Sequence, residues 1–199
     1  MNSYRSFEDR ILSVRKCQPD LKLIHVGEDA CEFAGIYHLE VNRKRIAGYR
    51  IRFILSKNDR HEPIVQLLDN YFSFNVDRHI YSDGQCCICV WLHWTFFNGY
   101  RIDLFLQKAV RDFFLSQIYY DEHEKYLFDW DHGPAGIYKA FADILLVPNK
   151  RGRVQRRLRK LINGEVRSNR VSVPQAAEMM AKLDSLQGQA EGLKVPQNS

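Results

Sequence analysis

Three of the five cysteines lie within four positions of one another, at Cys86, Cys87 and Cys89. A thiolate is both a good nucleophile and a good leaving group, so a cysteine can carry an acyl group as a thioester. The Ser-Asp-Gly sequence at 82–84 is typical of a turn. If 86–90 is extended, its side chains alternate sides, and Cys87 and Cys89 share one side. The pattern therefore predicts a turn that presents a reactive sulfur atom on a rigid ledge.

The same cluster allows three other interpretations. Cysteine is commonly buried, so all three thiols can be small hydrophobic groups of the core. A zinc site is the second interpretation, but Cys-x-Cys spacing is tight, and Cys17, Cys31 or histidines would have to complete the ligand set. The third is a strained disulfide that joins Cys87 to Cys86 or to Cys89. The local sequence leaves these alternatives open.

Composition predicts a folded domain and excludes several classes of protein. The chain has 199 residues, of which 45% are hydrophobic and 27% are charged, enough to bury a core. The longest apolar run, 86–97, has 12 residues and contains a histidine, whereas a membrane span needs ~20. The polar start of the chain lacks the apolar stretch of a signal peptide. An odd number of cysteines is a poor disulfide framework, so we expect a cytoplasmic protein without membrane contact.

The first half of the chain is predicted to form a helix followed by strands. A Ser-x-x-Asp capping box at 6–9 predicts a short helix over 3–16. Apolar residues then alternate with polar ones, which is typical of half-buried strands. This alternation puts His25 on the same side as Leu21 and Leu23. The predicted strands are 21–27, 37–41, 49–55 and 64–68, with a hairpin link at 42–46.

The second half changes to a helical period. After a long irregular connection that bears the cysteines, apolar residues recur at helical spacing at Leu104, Phe105, Ala109, Phe113 and Ile118. Further helices are predicted at 137–146, at 151–162 and after Ser172. The predicted fold class is therefore α+β, with an N-terminal helix, a four-stranded antiparallel meander and C-terminal helices.

Positive charge is concentrated near the C-terminus. Residues 150–170 hold nine Lys and Arg against one acid, a net charge of +8, so the rest of the chain carries about −3. Such a segment is either a binding surface for nucleic acid or another anionic partner, or the solvated face of an amphipathic helix. We expect a folded domain over 1–147, a basic helical extension over 148–187 and a disordered tail over 188–199.

The order of several motifs resembles the ubiquitin-conjugating enzyme family. That family places its nucleophile in Gly-x-Ile/Leu-Cys-Leu, and Gly-Gln-Cys-Cys-Ile at 84–88 fits this frame with Cys87 as the nucleophile. The family's tryptophan about eight residues later is matched by Trp94, and its next helix by 101–120.

Two further motifs extend the resemblance. The segment 129–138, Asp-Trp-Asp-His-Gly-Pro-Ala-Gly-Ile-Tyr, is similar to the family's acidic turn, and Pro63 stands where the family has a proline-rich bend. The resemblance covers roughly 1–147 and implies the fold of a ubiquitin-conjugating enzyme.

The resemblance also implies the site residues around the Cys87 nucleophile. His79 stands where the family has the asparagine that ends its His-Pro-Asn motif, and is expected to donate a hydrogen bond to the oxyanion. Asp131 and His132 come from the segment that the family places beside its nucleophile, and are expected to hold an acceptor amine neutral. The alternatives are an ordinary surface histidine and a solvated helix cap. Cys89 replaces the family's acid two residues after the nucleophile.

With these departures, the sequence is similar to bacterial conjugating-enzyme-like proteins of antiphage operons. One such group is the single conjugating-enzyme form of cyclic-oligonucleotide (CBASS) defence. The resemblance implies a thioester between Cys87 and the C-terminus of a partner, either a nucleotidyltransferase related to cGAS or a ubiquitin-like protein, and transfer to lysine. An activating enzyme is a further partner in such systems, and no metal or cofactor is expected. The alternatives are a catalytically inactive binding module of the same fold and a nucleic-acid-binding protein that acts through its basic tail.

Overall fold

The computed structural model describes residues 6–59, 61–74 and 78–127. It also describes six single helical residues: Arg159, Asn163, Pro174, Ala177, Met180 and Ala181. The chain divides into two compact units, Met1–Trp130 and Asp131–Ser199, and the elements below belong to the first. Apart from those six residues, the helices predicted beyond residue 136 lie outside the described residues. The domain bounds expected at 147 and 187 stay predictions.

An N-terminal helix, α1 (Phe7–Cys17), begins with the predicted capping box. The Ser6 hydroxyl accepts a hydrogen bond from the Asp9 N–H at 3.1 Å, and the Asp9 carboxylate accepts one from the Ser6 N–H at 3.1 Å. On the inner side of α1, the Arg10 guanidinium donates to the Lys57 carbonyl at 2.6 Å. This contact fastens α1 to the loop that follows the third strand.

The sheet has four antiparallel strands in sequence order: β1 (Leu21–Val26), β2 (Ala30–Val41), β3 (Lys44–Ser56) and β4 (Ile64–Leu67). The predicted alternation is confirmed in β3, where Ile51 and Phe53 are fully buried while the side chains of Arg50 and Arg52 reach solvent. With the helices on either side of it in the sequence, this sheet confirms the α+β layout.

A bulge in β1 changes which residues face the core. Leu23 pairs with the buried Phe33, but His25 pairs with Glu32, so the register shifts between Leu23 and His25. Directly paired residues of an antiparallel ladder lie on the same face, so the extra residue turns His25 to the outer face with Glu32. The expectation that His25 shares a side with Leu21 and Leu23 is therefore wrong.

The hairpin between β2 and β3 is tighter than expected. Val41 pairs with Lys44, so only Asn42 and Arg43 join the strands, rather than the whole of 42–46. Both residues have positive φ, 52° and 64°, as a two-residue type I′ turn requires. Asparagine adopts this conformation readily, whereas arginine does so at a cost.

One helix, α2 (Trp91–Asn98), lies where we expect an irregular connection. Its sequence is apolar on nearly every side, so it carries no helical period that could identify it. Trp91 and Trp94 are buried, as expected for this apolar stretch, whereas Phe97 is half exposed.

A second helical stretch consists of α3 (Ile102–Leu104), a π-helical segment (Phe105–Val110) and α4 (Arg111–His123). The predicted helix is confirmed, and Phe105 and Phe113 of its predicted face are fully buried, but the buried face includes further residues. The fully buried residues include Leu106, Val110 and Phe114, while Leu104 and Ala109 are only partly buried. The wider π turn at 105–110 departs from the 3.6-residue period on which the predicted face rests.

The core lies between the inner face of the sheet and this second helical stretch. The Tyr37 hydroxyl donates to the Leu106 carbonyl at 2.7 Å. The rings of Tyr49 and Phe114 stack with their centroids 4.3 Å apart. No helix in the described ranges is long and apolar enough to pass through a membrane.

The hairpin turn generates a stability prediction. Holding Arg43 at positive φ costs roughly 1–2 kcal/mol for a residue with a Cβ. Glycine removes this strain but loses more entropy on folding, so we expect Arg43→Gly to raise the free energy of unfolding by about 0.5–1 kcal/mol in urea titrations. Arg43→Ala removes the same charge and keeps a Cβ, so it should bring no gain. An equal gain in both variants would contradict the strain argument.

Candidate functional site

A tight turn fastens the cysteine segment, residues 84–90, to the edge of the sheet. The Gly84 carbonyl accepts a hydrogen bond from the Leu67 N–H of β4 at 2.9 Å, and the Cys86 N–H donates to the Val65 carbonyl at 2.8 Å. Gly84 has a φ of +83°, and a Cβ on it would lie 2.6 Å from the Leu67 oxygen. The turn therefore needs glycine both for its conformation and for its closeness to β4.

The three clustered thiols differ in accessibility. Cys86 is 5% exposed, and its Sγ donates to the Gly84 carbonyl at 3.7 Å. Cys87 and Cys89 are partly exposed, while Ile88 between them is buried. This is the alternation expected of an extended segment, although 87–90 form no strand. All five cysteines are free thiols. Cys86 is thus a core residue and Cys89 packs against the core, whereas Cys87 is partly exposed and lies outside the core cluster.

Burial favours the protonated form of these thiols and raises the pKa of each. At Cys87 the carboxylate of Glu62 raises the pKa further, while a hydrogen bond with the Tyr81 side chain lowers it. At Cys89 the second cause is again Glu62. Because Cys87 is protonated at neutral pH, its attack on a carbonyl requires a group that takes up the thiol proton.

Glu62 is the group near the thiols that our sequence analysis does not identify. It lies in the loop between β3 and β4, directly before Pro63, and its carboxylate accepts a hydrogen bond from the Cys89 N–H. The residue is exposed, yet the surrounding protein desolvates its carboxyl group and raises the pKa to about 7. A carboxyl with this pKa can accept or donate a proton near neutral pH. Its sequence signal is weak, because a loop acid is usually solvated.

His79 supports the cysteine segment through its main chain. Its carbonyl accepts a hydrogen bond from the Cys87 N–H at 2.8 Å, and its φ is +56°. His79 is 9% exposed, and its ring faces the Tyr126 ring edge-on at 6.0 Å. The surface-histidine alternative is therefore wrong. The expected donation to an oxyanion stays a prediction.

Arg78 anchors this same stretch to α4. Its guanidinium pairs with the Asp121 carboxylate and lies 4.7 Å from the centre of the Tyr120 ring. The Gln117 side chain donates to the Arg78 carbonyl at 2.9 Å. A buried cation needs such a charge partner and such packing. Through these contacts α4 fixes the carbonyl of His79, and that carbonyl in turn holds Cys87.

Asp131 and His132, which we expect beside the nucleophile, lie outside the described residues, and their role stays a prediction. Within the part of the chain that the structure describes, no three His, Cys, Asp or Glu side chains form a group that could hold a metal ion.

Comparison with models of protein families, with curated proteins and with solved structures finds no match to this chain. Its function must therefore be argued from the site. The site consists of the partly exposed thiol of Cys87, the Tyr81 hydroxyl that is hydrogen-bonded to it, and the Glu62 carboxyl, whose pKa is about 7.

Glu62 predicts a pH dependence of stability. Its pKa of about 7 in the folded protein exceeds the usual value of 4.5, so the folded protein binds the proton more tightly than the unfolded chain does. The stability that this proton contributes is complete below pH 4.5 and is lost as the pH rises through about 7. The neutral Glu62→Gln side chain escapes this loss. The melting temperature of Glu62→Gln minus that of wild type should therefore be larger at pH 8 than at pH 5.

The matched control for this prediction is Glu40→Gln. Glu40 is exposed near the far end of β2, where it pairs with Arg45. The difference in melting temperature between Glu40→Gln and wild type should be nearly the same at pH 5 and at pH 8. A shift in Glu62→Gln that is the same at both pH values would contradict the assigned titration.

Proposed function

We propose that this chain is a cysteine-dependent conjugating enzyme. Cys87 accepts the C-terminal acyl group of a partner protein as a thioester and passes it to an amine. The proposal rests on what surrounds the Cys87 sulfur. Cys87 is partly exposed, its thiol is hydrogen-bonded to the Tyr81 side chain, and Glu62 lies within electrostatic reach. Cys86 lacks this access, since it is buried against β4.

The order of the elements supports the same proposal. An N-terminal helix, a four-stranded antiparallel sheet, the cysteine segment and further helices follow one another as the resemblance to ubiquitin-conjugating enzymes implies. We take the fold to be of that kind. The expected cargo is then the extended C-terminus of a cGAS-like nucleotidyltransferase or of a ubiquitin-like protein, handed over by an activating enzyme in cytoplasmic, bacterial antiphage defence.

The chemistry has two steps, a thioester exchange that is nearly balanced in energy and a transfer to an amine. In the first, Cys87 Sγ attacks the carbonyl carbon of an activated donor and a C–S bond forms. The donor's leaving group departs with its electron pair and takes up the proton that the thiol loses. In the second, a lysine amine attacks the thioester. Lysine has a pKa of ~10.4 in water, so it must lose a proton before it can attack. Asp131 and His132 are the residues that the resemblance nominates for this task.

One observation favours a second candidate, an inactive binding module of the same fold. The pKa values of Cys87 and Cys89 are both raised, so neither thiol is activated in the resting protein. A module of this kind binds the partner's tail without forming a covalent bond.

The test uses the full chain and a fluorescent peptide that ends in glycine as a mercaptoethanesulfonate thioester. We expect a mass-shifted protein that is cleaved by dithiothreitol, because thioesters exchange with free thiols. The adduct should be absent from Cys87→Ala and present in Cys86→Ala and Cys89→Ala, as measured by intact mass. Circular dichroism of each variant confirms folding.

Two outcomes contradict the proposal. A thiol-labile adduct that survives in Cys87→Ala but disappears in Cys89→Ala moves the nucleophile to the neighbouring sulfur. Saturable binding of the peptide by wild type with no adduct at any pH identifies the inactive module instead.

A further inference from the structure

We infer that Glu62 carries the proton between the incoming amine and the Cys87 sulfur during acyl transfer. The inference rests on the proposed thioester at Cys87, and it assigns a proton-transfer role to a residue outside the sequence motifs. It takes the acceptor to be an amine, as in the proposed function, because an amine brings a proton that must be removed.

Three contacts join the β3–β4 loop and β4 to the cysteine segment and the first residue of α2. The Val65 carbonyl accepts from the Cys86 N–H at 2.8 Å. The Glu62 carboxylate accepts from the Cys89 N–H. The Asp59 carbonyl then accepts from the Trp91 indole N–H at 3.1 Å. These contacts lie on both sides of Cys87 in the sequence, so 59–65 and 86–91 run side by side, and the Glu62 carboxylate lies within electrostatic reach of both thiols.

The groups that face Glu62 leave its carboxylate available for proton transfer. Among the residues that the structure describes, the thiols of Cys87 and Cys89 are the titratable side chains on which the charge of Glu62 acts. The neighbouring His61 ring lies 3.4 Å from the Ser56 hydroxyl, on another part of the loop. Asp83, the acid of the adjacent turn, is occupied in accepting the Gln85 N–H at 2.9 Å.

The transfer balances without any further reactant. The amine nitrogen bonds to the thioester carbonyl carbon, and the C–Sγ bond of Cys87 breaks with its electron pair left on sulfur. The nitrogen, already neutral before its attack, loses a further proton as the amide forms, and this proton moves to the ionised Glu62 carboxylate. Glu62 then gives this proton to the departing sulfur. The products are an amide, a Cys87 thiol and an ionised Glu62, ready for the next cycle.

The acidities of the two groups fit this direction of transfer. Burial and the charge of Glu62 raise the pKa of Cys87 above its usual 9.0, so its thiolate is a strong base in this site. Glu62 has a pKa of about 7, which makes its neutral form the stronger acid of the two. Transfer of a proton from Glu62 to the leaving thiolate is therefore favourable in free energy. The transfer leaves Glu62 as the carboxylate, which can accept a proton in the next cycle.

The experiment charges wild type and Glu62→Gln with the glycine thioester peptide, removes the excess at low pH and starts transfer with Nα-acetyl-lysine. We expect discharge of Glu62→Gln to be slower by about 100-fold near pH 8, the usual contribution of a positioned base. The ratio of wild-type to variant rates should grow as the pH rises through about 7, where Glu62 ionises. Glu62→Asp, which keeps a carboxyl, should lose less and keep this pH dependence, and Glu40→Gln should discharge like wild type.

A second measurement separates proton transfer from structural damage. The rate at which iodoacetamide alkylates Cys87, when it carries no acyl group, follows the amount of thiolate. Loss of the negative charge of Glu62 favours the thiolate. Glu62→Gln should therefore be alkylated several-fold faster while its thioester discharges more slowly. Slower alkylation and slower discharge together would show a structural defect and overturn the inference.

The remaining outcomes separate this inference from the proposed function. If wild type forms the adduct and Glu62→Gln discharges it at the wild-type rate and with the same pH profile, the inference is overturned while the thioester carrier stands. If no variant forms an adduct, both are overturned.

Discussion

The pairing of the cysteine segment with the outer edge of β4 is the constraint on which the site depends. β4 pairs with β3 on one side, and on its other side the N–H of Leu67 and the carbonyl of Val65 bond to Gly84 and Cys86. The pairing satisfies an edge that would otherwise be open to water or to another chain. It also sets the register: once Cys86 faces the core, Cys87 must face outward. The absence of a side chain at Gly84 is what permits the approach.

A second support reaches the same sulfur from the helical side of the core. α4 holds Arg78 through Asp121 and Gln117, and the next residue, His79, binds the N–H of Cys87. The position of α4 is itself fixed by core packing, as in the stack of Tyr49 on Phe114. The cysteine is therefore held by the main chain from two directions. The side chain of Cys87 takes no part in this support, which reaches the residue through its main chain.

How much could be predicted from the sequence depended on whether a signal was local and periodic. The strands, the capping box at α1 and the outward turn of Cys87 all follow from local patterns, and the structure confirms them. The bulge that reverses His25 and the π turn at 105–110 each shift a period by one residue, which periodicity cannot show. α2 was hidden because a uniformly apolar segment has no period. Glu62 could not be identified from the sequence for another reason: its raised pKa depends on the surroundings that the tertiary fold brings to its carboxyl group.

Desolvation acts on the two acids of the site in the same direction and thereby separates their tasks. Desolvation by the surrounding protein raises the pKa of the Cys87 thiol and of the Glu62 carboxyl alike, but the two start from different values, 9.0 and 4.5. The same environment therefore keeps the thiol protonated and inert at rest, while it brings the carboxyl into the range where it exchanges protons. A fully solvated carboxylate would be too weak a base for this work, and a thiolate without burial would be open to oxidation. The resting protection of the sulfur and the availability of its base thus have one physical cause.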